Sequence, residues 1–213
     1  MKVYKFRGSE QMDFVFDILF NQRLFCAEWH TLNDPLEGVF VYSHTGDNQE
    51  SAASFMKKVE KAKKPLRVCS LSKTFDEHLL WAHYASGFSG VAIEFEIDAE
   101  EHEVIDISYG GVFAGVSEFS NAKLTVVARE VLSSKYKAWS YEKEMRILTT
   151  DSFYKLKYPI KRVIAGHRMA QPLFDALRIV CEKLNIEVAR TGIGDEGIDA
   201  DFVPLYKSHA SHA

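Results

Sequence analysis

Four short segments set polar side chains among aromatic or apolar neighbours, where a soluble chain keeps them only with partners or with chemistry to perform. The most informative is Trp139-Ser140-Tyr141-Glu142-Lys143-Glu144-Met145-Arg146-Ile147. Read as a strand over Tyr141–Thr149, it alternates faces: Glu142, Glu144 and Arg146 project one way, Tyr141, Met145 and Ile147 the other. Two carboxylates on one strand face repel unless they contact cations or share a ligand. Two readings stay open. Arg146 neutralises Glu144 on a solvated face, or the face is a site in which one carboxylate orients the other or contacts substrate hydroxyls.

The other three segments are Tyr4-Lys5-Phe6-Arg7-Gly8, Leu32-Asn33-Asp34-Pro35-Leu36, and Cys69-Ser70-Leu71-Ser72 followed by Leu79-Leu80-Trp81-Ala82-His83-Tyr84-Ala85. Glu142, Glu144 and His83 are the candidates for catalysis. Arg7, Asn33, Asp34, Ser70, Ser72, Tyr84 and Arg146 are the candidates for binding substrate. Each has a plainer alternative. Arg7 serves equally as an ion-pair partner, Ser70 and Ser72 as strand hydroxyls, and Asn33-Asp34-Pro35 as a turn. Trp81 reads as core, since Leu80 and Tyr84 lie four apart on a helix face. His83 reads as a hydrogen-bonded core histidine as well as a proton carrier.

Other chemistries lack their signatures. Gly110-Gly111 and the Gly192/Gly194/Gly197 stretch do not have the strand–glycine–helix arrangement of a phosphate loop. Paired Cys or His ligands at zinc spacing are missing, as is a nucleophile elbow. His30, His44, His102, His209 and His212 stand singly in polar or terminal stretches. No metal site is expected.

The elements that must position these residues follow from periodicity and turn residues. Strands are expected at Val3–Arg7, Leu24–Trp29, Arg67–Ser72, Tyr141–Thr149, Arg162–Ala165, Ile186–Arg190 and Phe202–Leu205. Gly90–Ile97 and Glu103–Tyr109 read as a strand pair. Helices are expected after the N-cap candidate Ser9, with Phe14, Ile18 and Leu19 as its stripe, then over 48–64 up to Pro65, from Asp76, over 118–135, and over Gln171–Leu184. Strands outnumber helices and several are joined by short loops. The fold class is therefore α+β, with a mixed, largely antiparallel sheet and flanking helices. With no linker or repeat, residues 1–207 read as a single domain and 208–213 as a polar tail.

Composition narrows the class further. The chain has 213 residues, 46% hydrophobic, with 15 Phe, 9 Tyr and 3 Trp, enough to build a core and too much for a disordered chain. No apolar run approaches the roughly 20 residues that span a bilayer, so no membrane partner is expected. Cys26, Cys69 and Cys181 are odd in number and far apart, which points to buried free thiols in a reducing compartment. The N-terminus MKVYKFRGSE has no apolar leader core, so the chain reads as cytoplasmic. The net charge of −4 is a sum of opposed patches. Phe55–Arg67 holds six basic residues against Glu60, Ser152–Arg168 holds five and no acid, and Glu94–Asp106 holds seven acids and no Lys or Arg. The basic stretches suit either a solvated helix face or a nucleic-acid contact.

The segments LNDPLE (32–37), LLWAHYASGFSGVAIEF (79–95) and WSYEKEMRI (139–147), with the YKFR start and IKRVIAGHRM (160–169), resemble the bacterial domain of unknown function 2971 over nearly the whole chain. More distantly, the order Arg7, Ser70-Leu71-Ser72, Glu142-Lys143-Glu144 is similar to the Arg–Ser–Glu type of ADP-ribosyltransferase. That resemblance implies a transferase-like fold and NAD as substrate, with no tightly bound cofactor. It implies that Arg7 binds the NAD phosphates through its bidentate donors and that Ser70 or Ser72 supports the nicotinamide pocket. Glu144 would bind the nicotinamide-ribose hydroxyls and stabilise an oxocarbenium-like centre, and Glu142 would orient or deprotonate the acceptor. The sequence departs from the pattern in its long interval from Ser72 to Glu144 and in the Trp81-His83-Tyr84 segment, which has no counterpart there.

Three functions compete on this basis. The first is an enzyme on a nucleotide or nucleic-acid-related substrate, with ADP-ribosyl transfer or NAD cleavage leading. The second is a non-catalytic module that binds nucleic acid or a protein partner in a stress or phage response. The third is a nuclease or hydrolase using Glu142, Glu144, Asp34 and His83, with metal assistance or without it.

Overall fold

Short apolar bursts broken by turn residues make a strand-rich chain. The structure, a computed structural model that describes residues 1–43, 49–117, 123–194 and 197–199, is α+β. Among the described residues its main sheet is mixed and has eight strands, accompanied by four two-stranded sheets and five α-helices. By their contacts the residues divide into two compact units, one of residues 1–23, 71–97 and 155–213, the other of 24–70 and 98–154.

In the first unit Lys2–Arg7 pairs antiparallel with Val91–Glu96 along its whole length, and Val91–Glu96 pairs antiparallel with Arg162–Ala165. Glu187–Arg190 then runs parallel to Arg162–Ala165. Residues 91–95 are buried on both faces of their strand, so the one acid among them must be matched. Tyr4 donates its hydroxyl to Glu94 at 3.2 Å, and Lys2 pairs with the same carboxylate at 3.1 Å. Helix Met12–Asn21 buries Val15, Ile18 and Leu19, helix His78–Tyr84 buries Leu80 and Trp81, and helix Gln171–Lys183 buries Leu177 and Cys181. Trp81 meets Phe6 edge-on at 5.3 Å and donates its indole N–H to the Phe75 carbonyl at 2.6 Å. It is core, as its helix spacing implies.

In the second unit Glu144–Thr149 pairs antiparallel with Val104–Asp106, and Ala27–Glu28 with the start of Arg67–Ser72. Phe40–Ser43 runs parallel to Ala114–Ser117, and Ser108–Gly110 parallel to Ser134–Tyr136. Helices Gln49–Lys63 and Leu124–Leu132 pack on each other, over a cluster of Phe40, Val59, Val116, Val127 and Val131. A second cluster joins Val68, Leu132 and Leu148. Leu132 of the second cluster also gives its carbonyl to the charged site described below.

Several expected elements differ in detail. Ser9 is not a helix N-cap: it begins a 3₁₀ turn, Ser9–Gln11, its hydroxyl meets that of Ser89 at 3.0 Å, and the α-helix starts at Met12. Phe14 is exposed, and Val15 takes its place in the stripe. The Leu24–Trp29 strand is two pieces, Arg23–Phe25 and Ala27–Glu28. The third helix starts at His78 rather than Asp76, because the Glu77 carboxylate caps it by accepting the Leu79 N–H at 3.3 Å. Residues 90–97 and 103–109 do not pair. Distant strands take both edges of Val91–Glu96, and Val104–Asp106 pairs with Glu144–Thr149. Loop length between neighbours carries no signal of that. Of the helix expected over 118–135, residues 118–122 lie outside the described residues, Leu124–Leu132 is helical, and Ser134–Tyr136 is a strand. The strand over Tyr141–Thr149 begins only at Glu144, after a 3₁₀ helix, Lys137–Glu142, and a left-handed Lys143 at φ 44°. The basic run 55–67 is not wholly a solvated face, since Lys63 is fully buried. The expected Phe202–Leu205 strand and the 208–213 tail lie outside the described residues.

Two glycines of the first unit mark a close backbone approach. The Gly166 N–H donates to the Gly90 carbonyl at 2.9 Å, and a Cβ on Gly90 would overlap the Arg7 carbonyl oxygen. Backbone cannot swing away as a flexible side chain does. Gly90→Ala therefore lowers stability by about 1–3 kcal/mol, measured as a fall in the urea midpoint at unchanged slope. Gly110→Ala, where no atom lies within 4 Å of the added carbon, stays within about 0.5 kcal/mol of the parent.

Candidate functional site

Arg146 sits in the middle of the Glu144–Thr149 strand and is 0% exposed. A guanidinium wholly removed from water must have acceptors for its donors. Its Nε donates to Glu144 Oε1 at 2.7 Å and its Nη1 to the Leu132 carbonyl at 2.6 Å, while Nη2 donates to Glu144 Oε2 at 3.3 Å and to Glu37 Oε2. Lys135 enters from Ser134–Tyr136, a strand packed beside the 3₁₀ helix. Its Nζ has three hydrogens and faces three carboxylates, Glu142 at 2.5 Å, Glu144 at 2.9 Å and Glu37 at 3.3 Å. Five charged side chains thus interlock inside the second unit.

Local conformation delivers each acid. Glu144 is the first strand residue, and its own N–H donates to the Tyr109 hydroxyl oxygen at 2.7 Å. Ser70, on Arg67–Ser72, hydrogen-bonds the Glu144 carboxylate. Glu142 closes the 3₁₀ helix, and the left-handed Lys143 between the two acids turns both toward Lys135. Glu37 rides on a turn begun by Asp34, which accepts the Leu36 N–H on Oδ1 at 2.9 Å and the Glu37 N–H on its carbonyl at 3.1 Å. Gly38 follows at φ 75°, with the Trp29 ring where a Cβ would stand, so only glycine fits there. The buried Lys63 donates to the Gly38 carbonyl at 2.5 Å and stands 4.1 Å over the Trp29 ring, tying helix Gln49–Lys63 to that turn.

Burial and charge oppose one another throughout. Burial pulls the Lys135 ammonium toward the neutral form, but Glu144, Glu37 and Glu142 outweigh it and hold its pKa above the ordinary lysine value. Arg146 follows the same pattern, held charged by Glu144 and Glu37 against its own desolvation. Burial pushes the Glu144 carboxyl up, while Arg146, then Lys135, and hydrogen bonds from Arg146 and Ser70 bring it well below the usual carboxylate range. The Tyr109 hydroxyl is raised by burial and by the charges of Glu144 and Glu142, so it stays protonated. Glu144 is consequently a fixed anion, suited to binding hydroxyls or facing developing positive charge and unsuited to giving up a proton.

Of the residues read from the sequence, Ser70, Glu142, Glu144 and Arg146 meet in this network. The Arg146–Glu144 pair is present, but on a buried face rather than a solvated one. Asp34 lines a small cavity with Glu37 and Lys135, and Asn33 stands exposed beside it. Arg7, Ser72, His83 and Tyr84 belong to the first unit. There the Arg7 guanidinium lies 5.7 Å from the Phe14 ring centroid, and Ser72 stands opposite Tyr4 and accepts the Thr74 N–H at 3.2 Å. His83 is exposed, edge-on to Tyr84 at 6.1 Å, so it is not a core histidine. A wide groove of about 520 Å³ in the same unit, lined by Lys161, Arg178, Glu182 and Glu187, holds none of the predicted residues. Three members of the network were not anticipated. Glu37 closes the LNDPLE motif and was within reach of motif reading. Lys135 was hidden in an expected helix, and Tyr109 carries no spacing signal.

Among the described residues, no group of three or more His, Cys, Asp or Glu side chains is placed to hold a metal ion, and Glu37, Glu142 and Glu144 are engaged by Lys135 and Arg146. No family model, curated protein or solved structure matches the chain.

A lowered carboxyl pKa stabilises the fold above the unfolded group's range, and that contribution is lost as pH falls through the folded value. The protein should thus lose stability on acidification below the ordinary carboxylate range. Glu144→Gln leaves buried cations with one anion fewer and lowers stability by about 3–5 kcal/mol at neutral pH, with a shallower acid dependence. Urea midpoints of both proteins from pH 7 to pH 2 measure this, and parallel curves would contradict it.

Proposed function

We propose that this chain is an ADP-ribosyltransferase-like enzyme that cleaves NAD and transfers ADP-ribose. The hydrogen bond from Ser70 to the buried, ionised Glu144 is the observation that carries the reading. It links two of the three segments that resemble the Arg–Ser–Glu pattern. In the first unit the Arg7 strand lies antiparallel to the Ser72 end of the same Ser-x-Ser strand, which supports the reading further.

In this mechanism the bond between the nicotinamide nitrogen and the ribose anomeric carbon breaks, and its electron pair leaves on nicotinamide. The ribose gains oxocarbenium character, which the fixed anion of Glu144 favours. An acceptor nucleophile, or water, then forms the new bond to that carbon and passes its proton to Glu142. Lys135 and Arg146 keep Glu144 ionised and in place rather than touching NAD.

Incubation with NAD should release nicotinamide, followed by chromatography. Glu144→Gln should lower the rate about 10²–10⁴-fold. Ser70→Ala, which removes one hydrogen bond and no charge, should lower it less while leaving the thermal midpoint nearly unchanged. Absence of both nicotinamide release and an NAD-dependent rise in melting temperature in the parent protein would sink the reading.

One observation favours a second role, binding of nucleic acid. Lys57, Lys58, Lys61 and Lys64 remain exposed at the C-terminal end of helix Gln49–Lys63 and just beyond it, while Lys63 alone turns inward. Replacing those four with Glu should weaken binding of an RNA or DNA duplex and flatten log K against log salt by about one unit per lost phosphate contact. Unchanged affinity and slope would dismiss this surface.

A further inference from the structure

In the second unit Cys26 immediately precedes strand Ala27–Glu28, and Cys69 lies within Arg67–Ser72. The two strands run antiparallel, with Ala27 opposite Val68 and Glu28 opposite Arg67. One more step along that register sets Cys26 opposite Cys69. Side chains alternate along a strand, so Cys26 shares a face with Glu28, and Cys69 with Arg67. The Arg67 guanidinium crosses to the Glu28 carboxylate at 3.1 Å, which shows that the two faces are the same one, and it also donates to the Cys26 carbonyl at 3.5 Å. From that partly exposed ion pair the face runs inward, where Cys26 is 0% and Cys69 1% exposed. The Cys26 N–H donates to the Ser152 carbonyl at 2.9 Å, away from Arg67–Ser72. The cysteines therefore take a non-hydrogen-bonded position of the ladder, where opposed Cα atoms stand about 4.5 Å apart. Disulfides span Cα separations of roughly 4.4–6.8 Å.

We propose that Cys26 and Cys69 form a redox site, a dithiol that closes to an intramolecular cross-strand disulfide by exchange with a small-molecule disulfide. One cysteine attacks the small disulfide and displaces a thiol from it. The other attacks the mixed disulfide so formed and displaces the second thiol. The pair gives up two hydrogens, and the small disulfide takes them as two thiols. Opposed Cβ atoms stand about 4.5–5.5 Å apart, against roughly 3.5–4.5 Å across a disulfide. Closure thus draws the strands together and leaves a bond that thiols reopen, a switch rather than a staple. The ring it closes holds the turn that supplies Glu37 and the helix that supplies Lys63, Gln49–Lys63. Cys181, the one cysteine of the first unit, has no such neighbour there. The switch does not depend on NAD cleavage.

The full chain, equilibrated without denaturant in glutathione buffers of graded ratio until its thiol count is constant, tests this. Samples are quenched in acid, unfolded, alkylated and mapped by peptide mass. The oxidised end should lower the alkylatable thiols from three to one per chain, at a monomer mass reduced by two hydrogens. The map should join the Cys26 peptide to the Cys69 peptide, and dithiothreitol should restore all three thiols. Cys181→Ala should still lose two thiols, whereas Cys69→Ala should form no internal bond. The map is made on the parent chain, so a poorly folding variant does not obscure the result. The proposal is overturned by three thiols at every ratio, by glutathione retained on either cysteine, or by a link that includes Cys181 or a second chain. A Cys26–Cys69 bond that dithiothreitol leaves closed without denaturant overturns the switch as well. None of these results bears on nicotinamide release, so the two proposals fail separately.

Discussion

The contact on which the second unit turns is one ammonium group shared by three carboxylates. Lys135 Nζ gathers Glu37 from the turn after Asp34, Glu142 from the end of a 3₁₀ helix, and Glu144 from the first position of a strand. Arg146 then binds Glu37 and Glu144 from the other side. Removing five charges from water is costly, and only a complete set of partners offsets it. The network therefore acts as a condition on the fold: a register slip or a displaced turn would strand a charge in the core. Lys63 extends the same condition to the neighbouring helix, since its buried ammonium, paired with Glu60 on its own helix, also takes the Gly38 carbonyl and the Trp29 ring as partners.

Around Glu144 such an arrangement suits fixed electrostatics rather than proton transfer. A carboxylate pinned by two cations does not need to reorganise when positive charge develops beside it, which is the advantage of a preorganised site over water. A hydrophobic set of similar volume would often be at least as stable, so stability alone is a weak reason for so elaborate an arrangement. The ionised Glu144, the protonated Tyr109 hydroxyl and the Ser70 hydrogen bond fit a site whose charges are set before a ligand arrives.

How much of this was readable from residue order varies with the interaction. Arg67–Ser72 and Arg162–Ala165 appear with the expected bounds, because each is a short apolar burst closed by clear turn or charged residues. Glu142, Glu144 and Arg146 were grouped by strand alternation. They do converge, although Glu142 does so through a left-handed Lys143 rather than through alternation, so the grouping survived a mistaken local geometry. Lys135 was not legible: a lysine in a polar stretch looks the same whether it faces water or three acids. Lys63 was counted with a solvent-facing run for the same reason. Charge identity is local, whereas burial depends on what tertiary packing brings alongside. The pairing of Val91–Glu96 with Lys2–Arg7 and Arg162–Ala165, both distant in sequence, was illegible for the related reason that loop length reports only on sequence neighbours.

The three cysteines acquire a use from where they lie. None is in a disulfide and all are buried, Cys181 in the first unit and Cys26 and Cys69 in the second, and burial raises the Cys181 thiol to about 11. A thiol held away from solvent reacts with an alkylating reagent only during an opening that exposes it. Each unit thus carries its own internal clock. The labelling rate at each cysteine reports how often the packing around it comes apart, without any introduced probe.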